Sequence, residues 1–378
     1  LMNPVYIIAE NIVSPIADTA QDNFALLKEG ISGIRQHNIP RFSPEPFFAS
    51  LFPEESFASD NVYTKFEQLL LASASNALSL TNIDPSDERT GLIISSTKGN
   101  ISLLETSTQN EALVKRMSLP VSAKLIAEHF KRVNKPIIVS HACISGLVAL
   151  ITGMRMIQSG KYDHVIVAGA DIITQFILSG FQSFHAISNQ ACKPFDANRT
   201  GINLGEAAAT IILSSQNPKG KEAIVLSGGA VSNDANHISG PSRTGEELYR
   251  VIQQSVQEAG IDAAAIDFIS AHGTATMYND EMEARAFNLA GLQDVPLNSL
   301  KGYYGHTLGA AGLIETVASV LSLKENVVLP TPGFDTPGTT KPVNVNRQLK
   351  QGIYNACLKT ASGFGGCNAA IVLKKINI

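Results

Sequence analysis

The sequence predicts an α/β protein built from two similar halves, and three observations carry that prediction. Segments rich in apolar β-formers alternate with segments of helical spacing from Val5 to Lys374. The strand segments are near-continuously apolar, which implies a largely parallel sheet covered by helices on both faces. Two very apolar helical segments, Leu147 to Gln158 and Gly309 to Leu323, each follow a strand and a short turn bearing a reactive side chain, Cys143 in one and His306 in the other. Such an echo is the mark of an internal repeat.

In chain order, Val5 to Ala9 reads as a buried strand, and Asp22 to Lys28 as a helix closed by Gly30. Residues 36–60 are rich in Pro, Phe, Ser and acidic residues and read as an irregular surface excursion. A helix follows over Val62 to Leu80, a strand over Thr90 to Ser96, a helix over Ser122 to Arg132 and a strand over Ile137 to Val139. Cys143 stands where that last strand gives way to the helix Leu147 to Gln158, whose apolar side chains occupy most of its circumference, the pattern of a buried helix. Asp163 to Asp171 and Ala207 to Leu213 are further strands. The polar stretch Ser214 to Glu222 holds Pro218 and Gly220 and marks the expected boundary between halves 1–216 and 217–378. The same grammar then resumes: strands over Ala223 to Leu226, Ile266 to Ala271, Pro296 to Ser299, Asn355 to Ser362 and Ala369 to Lys374. Helices are expected over Glu246 to Ala259, Glu281 to Ala290 and Gly309 to Leu323.

Composition narrows the function. The 378 residues are 44% hydrophobic and 16% charged, enough for a large core and unlike a disordered chain. A net charge of −4 and a pI of about 6.1 give no attraction to nucleic acid. The four cysteines, Cys143, Cys192, Cys357 and Cys367, form no CxxC pair and no short disulfide framework, which fits a reducing cytoplasm. No apolar run reaches membrane-spanning length, and the start of the chain does not read as a secretion signal. No His, Cys or Asp cluster has zinc spacing, and no dinucleotide or P-loop fingerprint is present.

Four stretches carry chemistry. Backbone N–H groups of a helix's first turn point back at Cys143 and favour an anion there. A helix start or a nearby imidazole lowers a thiol from a pKa of about 8.5, so a thiolate is expected; a buried structural thiol is the plain alternative. His272 ends a strand, where α/β sheets place ligands, and Thr274 and Thr276 follow it, with Asp280 and Glu283 one turn apart on the next helix. Lys301 and His306 flank a turn before a helix whose Glu315 is otherwise surrounded by apolar residues; a buried carboxylate needs a partner, and Lys301 is the obvious one. Gly363-Phe364-Gly365-Gly366 can bring backbone N–H groups close to a ligand. The run Lys193 to Asp196, with Arg199 to Glu206, reads as a polar brace. Singly, each has a structural explanation.

Together they resemble the β-ketoacyl-acyl carrier protein synthases with a Cys–His–His site. Order and spacing agree over nearly the whole chain: Asn11 to Ile16, Gly30 to Gly33, His141 to Gly146, Pro194 to Asp196, Gly205-Glu206, His272 to Thr276 with Asn279-Asp280, Gly305-His306 with Gly309 to Gly312, and Gly363 to Gly366. The resemblance implies a duplicated thiolase-like fold with five αβαβα layers. It implies Cys143 as nucleophile, His272 and His306 as the catalytic imidazoles and Lys301 as the site lysine, supported by Glu315, Asp280 and Glu283. Phe364 corresponds to a gate, and Thr274, Thr276 and Gly365 to positions that meet the substrate arm.

The implied reaction is decarboxylative Claisen condensation of an acyl thioester with malonyl-acyl carrier protein, using phosphopantetheine-borne substrates, no cofactor and no metal. The implied partners are an acyl carrier protein and a second copy of the chain, or a paralogous subunit in a heterodimer. A partner or chain-length subunit is the alternative reading; a degradative thiolase and a cysteine hydrolase are more distant ones. A carrier protein is acidic, so Lys124, Lys131, Arg132 and Lys135 are candidates for a basic rim. The chain departs from the family pattern at Thr200, usually aspartate, at Ala207-Ala208, usually with glycine, at Met277, commonly proline, and at Cys367, commonly threonine; the stretch Ser188 to Lys193 is abbreviated. Ala207-Ala208, Met277 and Cys367 are expected to line or border the site, which bears on acyl length and partner preference.

Overall fold

The computed structural model describes residues 4–57 and 62–378. The first half runs β1 (Tyr6–Val13), α1 (Lys65–Ser79), β2 (Thr90–Ser95), α2 (Leu119–His129), β3 (Ile137–Val139), α3 (Ser145–Gln158), β4 (His164–Asp171) and β5 (Ala207–Ser214). The second runs β6 (Glu222–Asn233), α4 (Glu246–Glu258), β7 (Phe268–Ser270), α5 (Met277–Leu289), β8 (Leu297–Asn298), α6 (Ala311–Glu325), β9 (Ala356–Gly363) and β10 (Cys367–Asn377).

The ten strands lie in the order β8-β7-β9-β10-β6-β1-β5-β4-β2-β3. Read outward from the centre, each half repeats one pattern: first strand, fifth, fourth, second, third. Within this sheet, the strands of the two halves pair where Tyr6 faces Val225 and Ile7 faces Ile224. The expectation of a largely parallel sheet needs correcting. Pairs involving β2, β3, β7 and β8 are parallel, but β4-β5, β5-β1, β1-β6, β6-β10 and β10-β9 are all antiparallel. These central strands are as apolar as parallel ones because both faces are covered, so hydropathy alone does not report direction.

Three apolar clusters stack the layers. One joins α1 and α2 to the outer face of the first half-sheet, another joins α4 and α5 to the second, and the largest holds α3 and α6 between them. That is the five-layer duplicated thiolase-like arrangement expected. Every residue of α6 from Ala311 to Leu323 is buried, and each large apolar side chain there contributes about 1.5–3 kcal/mol.

Several boundaries move. The helix expected from Val62 begins at Lys65, because Thr64 and Glu67 form a reciprocal capping box. Strand β6, expected to end at Leu226, extends to Asn233; Gly228 is needed there because a Cβ would lie 2.2 Å from the Ser255 carbonyl of α4. Short helices at Leu103–Thr106, Glu111–Met117 and Gln175–Ser183 were not expected. The excursion at 36–60 is partly ordered: strands Arg35–His37 and Phe47–Ser50 form a small sheet with Leu204–Gly205. Its last residues, 58–60, lie outside the described part.

Candidate active site

Cys143 sits between β3 and α3 on a strained turn. Ala142, just before it, has φ +45°, a left-handed conformation that is costly for a residue with a Cβ. Ser145 closes the turn: its Oγ accepts from the His141 N–H at 2.7 Å and donates to the Ala142 carbonyl at 2.6 Å. The starts of α3 and α6 then cross at backbone contact. A Cβ on Gly146 would lie 2.7 Å from Leu313 N, and one on Gly312 would lie 2.9 Å from Leu147 N. Two glycines therefore set how closely the half that carries Cys143 approaches the half that carries His272 and His306.

On the other side, His306 is held by the stretch that carries the small extra sheet: its N–H donates to the Asn203 carbonyl at 2.7 Å, and its carbonyl accepts from Gly205 N–H at 3.0 Å. His272 follows β7. Its N–H and that of Gly273 donate to Glu283 at 2.8 and 2.7 Å, and the Thr274 N–H donates to Asp280 at 3.0 Å. Asp280 also accepts the Phe195 N–H at 2.7 Å, and Arg199 lies 3.9 Å away. The run expected as a brace, Lys193 to Glu206, thus meets Asp280, which in turn holds Thr274 two residues after His272. Glu206 itself reaches elsewhere, to Lys65 and the N–H groups of Phe52 and Ile173.

The outcome is one site. The Cys143 sulfur and a nitrogen of each of His272 and His306 all lie within 4.8 Å of one another, and all three residues are buried. The two rings stand edge to face with centroids 5.2 Å apart. They border a cavity of about 450 Å³ whose walls include Phe181, Ile202, Thr274, Thr276, Met277 and Phe364. Phe364 is partly exposed and packs between Phe181 and Phe184, with centroids 5.6 and 5.4 Å away.

Lys301 forms the expected buried ion pair with Glu315 and donates to the His272 carbonyl at 3.0 Å. Sequence reading missed a second lysine. Lys359, also fully buried, places Nζ 2.6 Å from the other oxygen of Glu315. It also missed Asp171, which accepts N–H groups of Thr97, Lys98 and Gly309 and so ties the end of β4 to the start of the His306 half. Each is a charged residue next to apolar ones in a strand, which marks a need for a partner without naming it.

Electrostatics corrects one expectation. Burial pushes the Cys143 thiol up to about 11, against smaller opposing effects from Lys301 and the Phe364 N–H aimed at the sulfur. The resting group is a thiol, not the thiolate expected from the helix start, because desolvation outweighs those stabilising effects. Both imidazoles are held well below the usual histidine value, first by burial and then by Lys301, so both are neutral at pH 7. The Leu308 N–H donates to His306 Nδ1 at 3.2 Å, which puts the His306 proton on Nε2. That Nε2–H has no protein partner among the described residues. One sulfur and two imidazole nitrogens this close would suit zinc, but an Nε2 that carries a proton has no lone pair to offer a metal.

Other expectations also shift. Gly365 does not line the cavity; its N–H donates to the Ile238 carbonyl, and its φ of +85° belongs to the turn that follows Phe364. Of the unusual positions, Thr200 and Met277 line the cavity and Cys367 lies beside it, Sγ 3.4 Å from the Phe364 carbonyl. Ala207 and Ala208 do not border it; they are core residues of β5. Among the basic-rim candidates, Arg132 has its guanidinium turned onto the carbonyls of Pro85 and Thr90, and Lys124 pairs with Glu128 on its own helix.

Fold and site together define a condensing enzyme of the thiolase-like class. Residues 2–218 match the description "Beta-ketoacyl synthase, N-terminal domain" and residues 223–335 its C-terminal domain. The chain is 30% identical to a 3-oxoacyl-[acyl-carrier-protein] synthase 2 of Vibrio cholerae, over 98% of this chain and 99% of that one. It is also 30% identical, over 99% of both chains, to a Schizosaccharomyces pombe protein described as "Putative 3-oxoacyl-[acyl-carrier-protein] synthase, mitochondrial". A ketosynthase from Xenorhabdus doucetiae, solved in complex with its chain length factor, superposes with a TM-score of 0.87 at 25% identity over 98% of both chains. The chain belongs to the β-ketoacyl synthase family, and its reaction is the condensation that lengthens an acyl chain.

Proposed function

We propose that the protein condenses an acyl thioester with malonyl-acyl carrier protein to give a β-ketoacyl-acyl carrier protein, with Cys143, His272 and His306 as its catalytic residues. The convergence of one sulfur and two imidazole nitrogens within 4.8 Å in a buried cavity carries this reading. Cys143 attacks the acyl thioester brought in on a phosphopantetheine arm; the sulfur becomes acylated, and its proton leaves on the pantetheine thiol. In this reading the N–H groups of Cys143 and Phe364 hold the oxyanion, each such donor being worth about 3 kcal/mol.

The malonyl thioester enters next, its carbonyl oxygen accepting from His306 Nε2–H and from His272. Loss of CO₂ leaves an enolate stabilised by those donors, and its carbon attacks the acyl-cysteine. The chain is released longer by two carbons, and Cys143 regains a proton. Neutral imidazoles suit this role: a donor is needed, and no strong acid that would quench the enolate. Lys301, Glu315, Asp280 and Glu283 support the imidazoles, Phe364 gates the cavity, and Thr274 and Thr276, whose hydroxyls lie 2.8 Å apart on its wall, meet the pantetheine.

In this reading residues 1–216 supply the nucleophile and 217–378 the imidazoles, no metal or further cofactor takes part, and the partner is an acyl carrier protein. The four cysteines are all free thiols, in keeping with the cytoplasm. No helix among the described residues is long and apolar enough to cross a membrane. Strand β3 ends the sheet with Ile137 and Ile138 only half-buried, and such an edge favours pairing with another chain. A homodimer is the simplest occupant, a paralogous subunit the other, and native mass spectrometry of the chain alone separates them. The test of the reaction is intact-protein mass spectrometry with a panel of acyl thioesters, followed by malonyl carrier protein. An acyl adduct on Cys143 and its discharge as a longer chain are expected; absence of any adduct would sink the reading.

A further inference from the structure

Three consecutive carbonyls lead into the imidazole side of the site, and ammonium groups hold all of them. Lys359 Nζ donates to Ser270 and Ala271, each at 3.2 Å, while Lys301 Nζ donates to His272 at 3.0 Å. Lys359 stands on β9 directly opposite Ser270 of β7. Its Nζ also donates to the Thr360 carbonyl at 2.8 Å, and the Thr360 hydroxyl donates at 3.0 Å to Glu283, the carboxylate that receives the His272 N–H. The side chain is fully buried, in a strand whose neighbouring residues Ala356, Cys357 and Leu358 are apolar. An ammonium in such a place is costly unless it is paired and hydrogen-bonded.

We propose that Lys359 is a positioning residue for the condensation: it fixes the strand end that carries His272 and, by sharing Glu315 with Lys301, brings a second ammonium beneath the two imidazoles. The proposal rests on the condensation reading above. The charged groups packed around Lys359 come from three elements: Glu315 on α6, Lys301 on the turn before it, and Glu283 on α5. Two ammoniums face one carboxylate in the direct ion-paired cluster. The Lys359 ammonium, added to that of Lys301, opposes protonation of His272 and His306 and favours the negative charge that develops on the thioester oxygen when CO₂ departs. Lys359 makes no contact with the reacting atoms in this arrangement and acts through His272.

The test uses the full-length protein with isotope-labelled histidine, compared with Lys359→Met and with Lys359→Gln, which keeps N–H donors but not the charge. NMR titration of the imidazoles should show His272 and His306 taking up a proton about one pH unit higher in both variants than in the wild type. The turnover number for malonyl decarboxylation should fall about tenfold in Lys359→Met with KM for the malonyl carrier protein unchanged, and less in Lys359→Gln. Folded variants whose imidazoles titrate as in the wild type would overturn the proposal, and so would equal losses in turnover and KM. The titration reads charge directly, so a wild-type protein that failed to decarboxylate malonyl thioesters would count against the condensation reading while Lys359 was still decided.

Discussion

The two helix starts that meet at the site are topological equivalents, yet they are built by different means. The Cys143 side is a backbone construction: a left-handed alanine, a serine that closes the turn, and a glycine at the crossing. Its helix α3 carries only Arg155 as a charge, near the far end, paired with Glu258 of α4. The imidazole side is a side-chain construction, with Lys301, Lys359, Glu315, Asp280, Glu283 and Arg199 all buried around it. A sulfur needs only to be held and approached. On the proposed reading, two imidazoles that stay neutral while an oxyanion forms need a controlled field, and in a low-dielectric interior fixed charges supply one.

The sharpest way to break the comparison is to remove the sulfur. Cys143→Ala is expected to lower condensation by about 10³-fold or more, while malonyl decarboxylation, the task of the other half, persists; CO₂ release measured alongside acyl transfer decides it. Equal loss of both would mean that the two halves do not divide the chemistry.

Glu315→Ala strikes the imidazole side. It strands two lysines without their shared carboxylate, and an uncompensated buried charge costs about 3–5 kcal/mol. A denaturant melt should show that loss, whereas Arg155→Ala on the other central helix, whose side chain is 43% exposed, should cost well under half as much.

Gly312→Ala probes the crossing itself. The added Cβ would meet the Leu147 backbone, and overpacking of this kind costs about 1–3 kcal/mol, partly offset by alanine's better helix propensity. Condensation should fall more than decarboxylation, because only the former requires Cys143 and the imidazoles at fixed separation. Kinetics of both steps on the same preparation check it.

The smallest perturbation is pH. With the thiol pushed up to about 11 by burial, alkylation of Cys143 by iodoacetamide should keep rising, about tenfold per unit, between pH 7 and 10. A plateau below pH 8 would restore the thiolate. The imidazoles work on the opposite limb. Their protonation is pushed below the ordinary value of about 6.5, so decarboxylation should hold its rate from pH 7 down to 6 and fall only in more acid solution.

Much of the fold was legible because hydropathy reports burial, and both central helices are buried nearly all round. Strand direction was not: β5 reads the same whether its neighbours run with it or against it. Lys301 with Glu315 was found because a carboxylate in an apolar helix demands a partner. Lys359 escaped because nothing in Cys357-Leu358-Lys359 tells which carboxylate lies opposite its strand. The thiolate expectation failed for a related reason: a helix start can be read from a sequence, whereas the depth at which it is buried cannot.

By itself, then, the sequence determined the residue types, their order and the repeated strand-turn-helix units, since periodicity and turn chemistry are local. The tertiary structure decided the distances between the halves, the charge balance under the imidazoles and the protonation of the sulfur. Those depend on contacts between segments far apart in the chain and on how completely water is excluded from them.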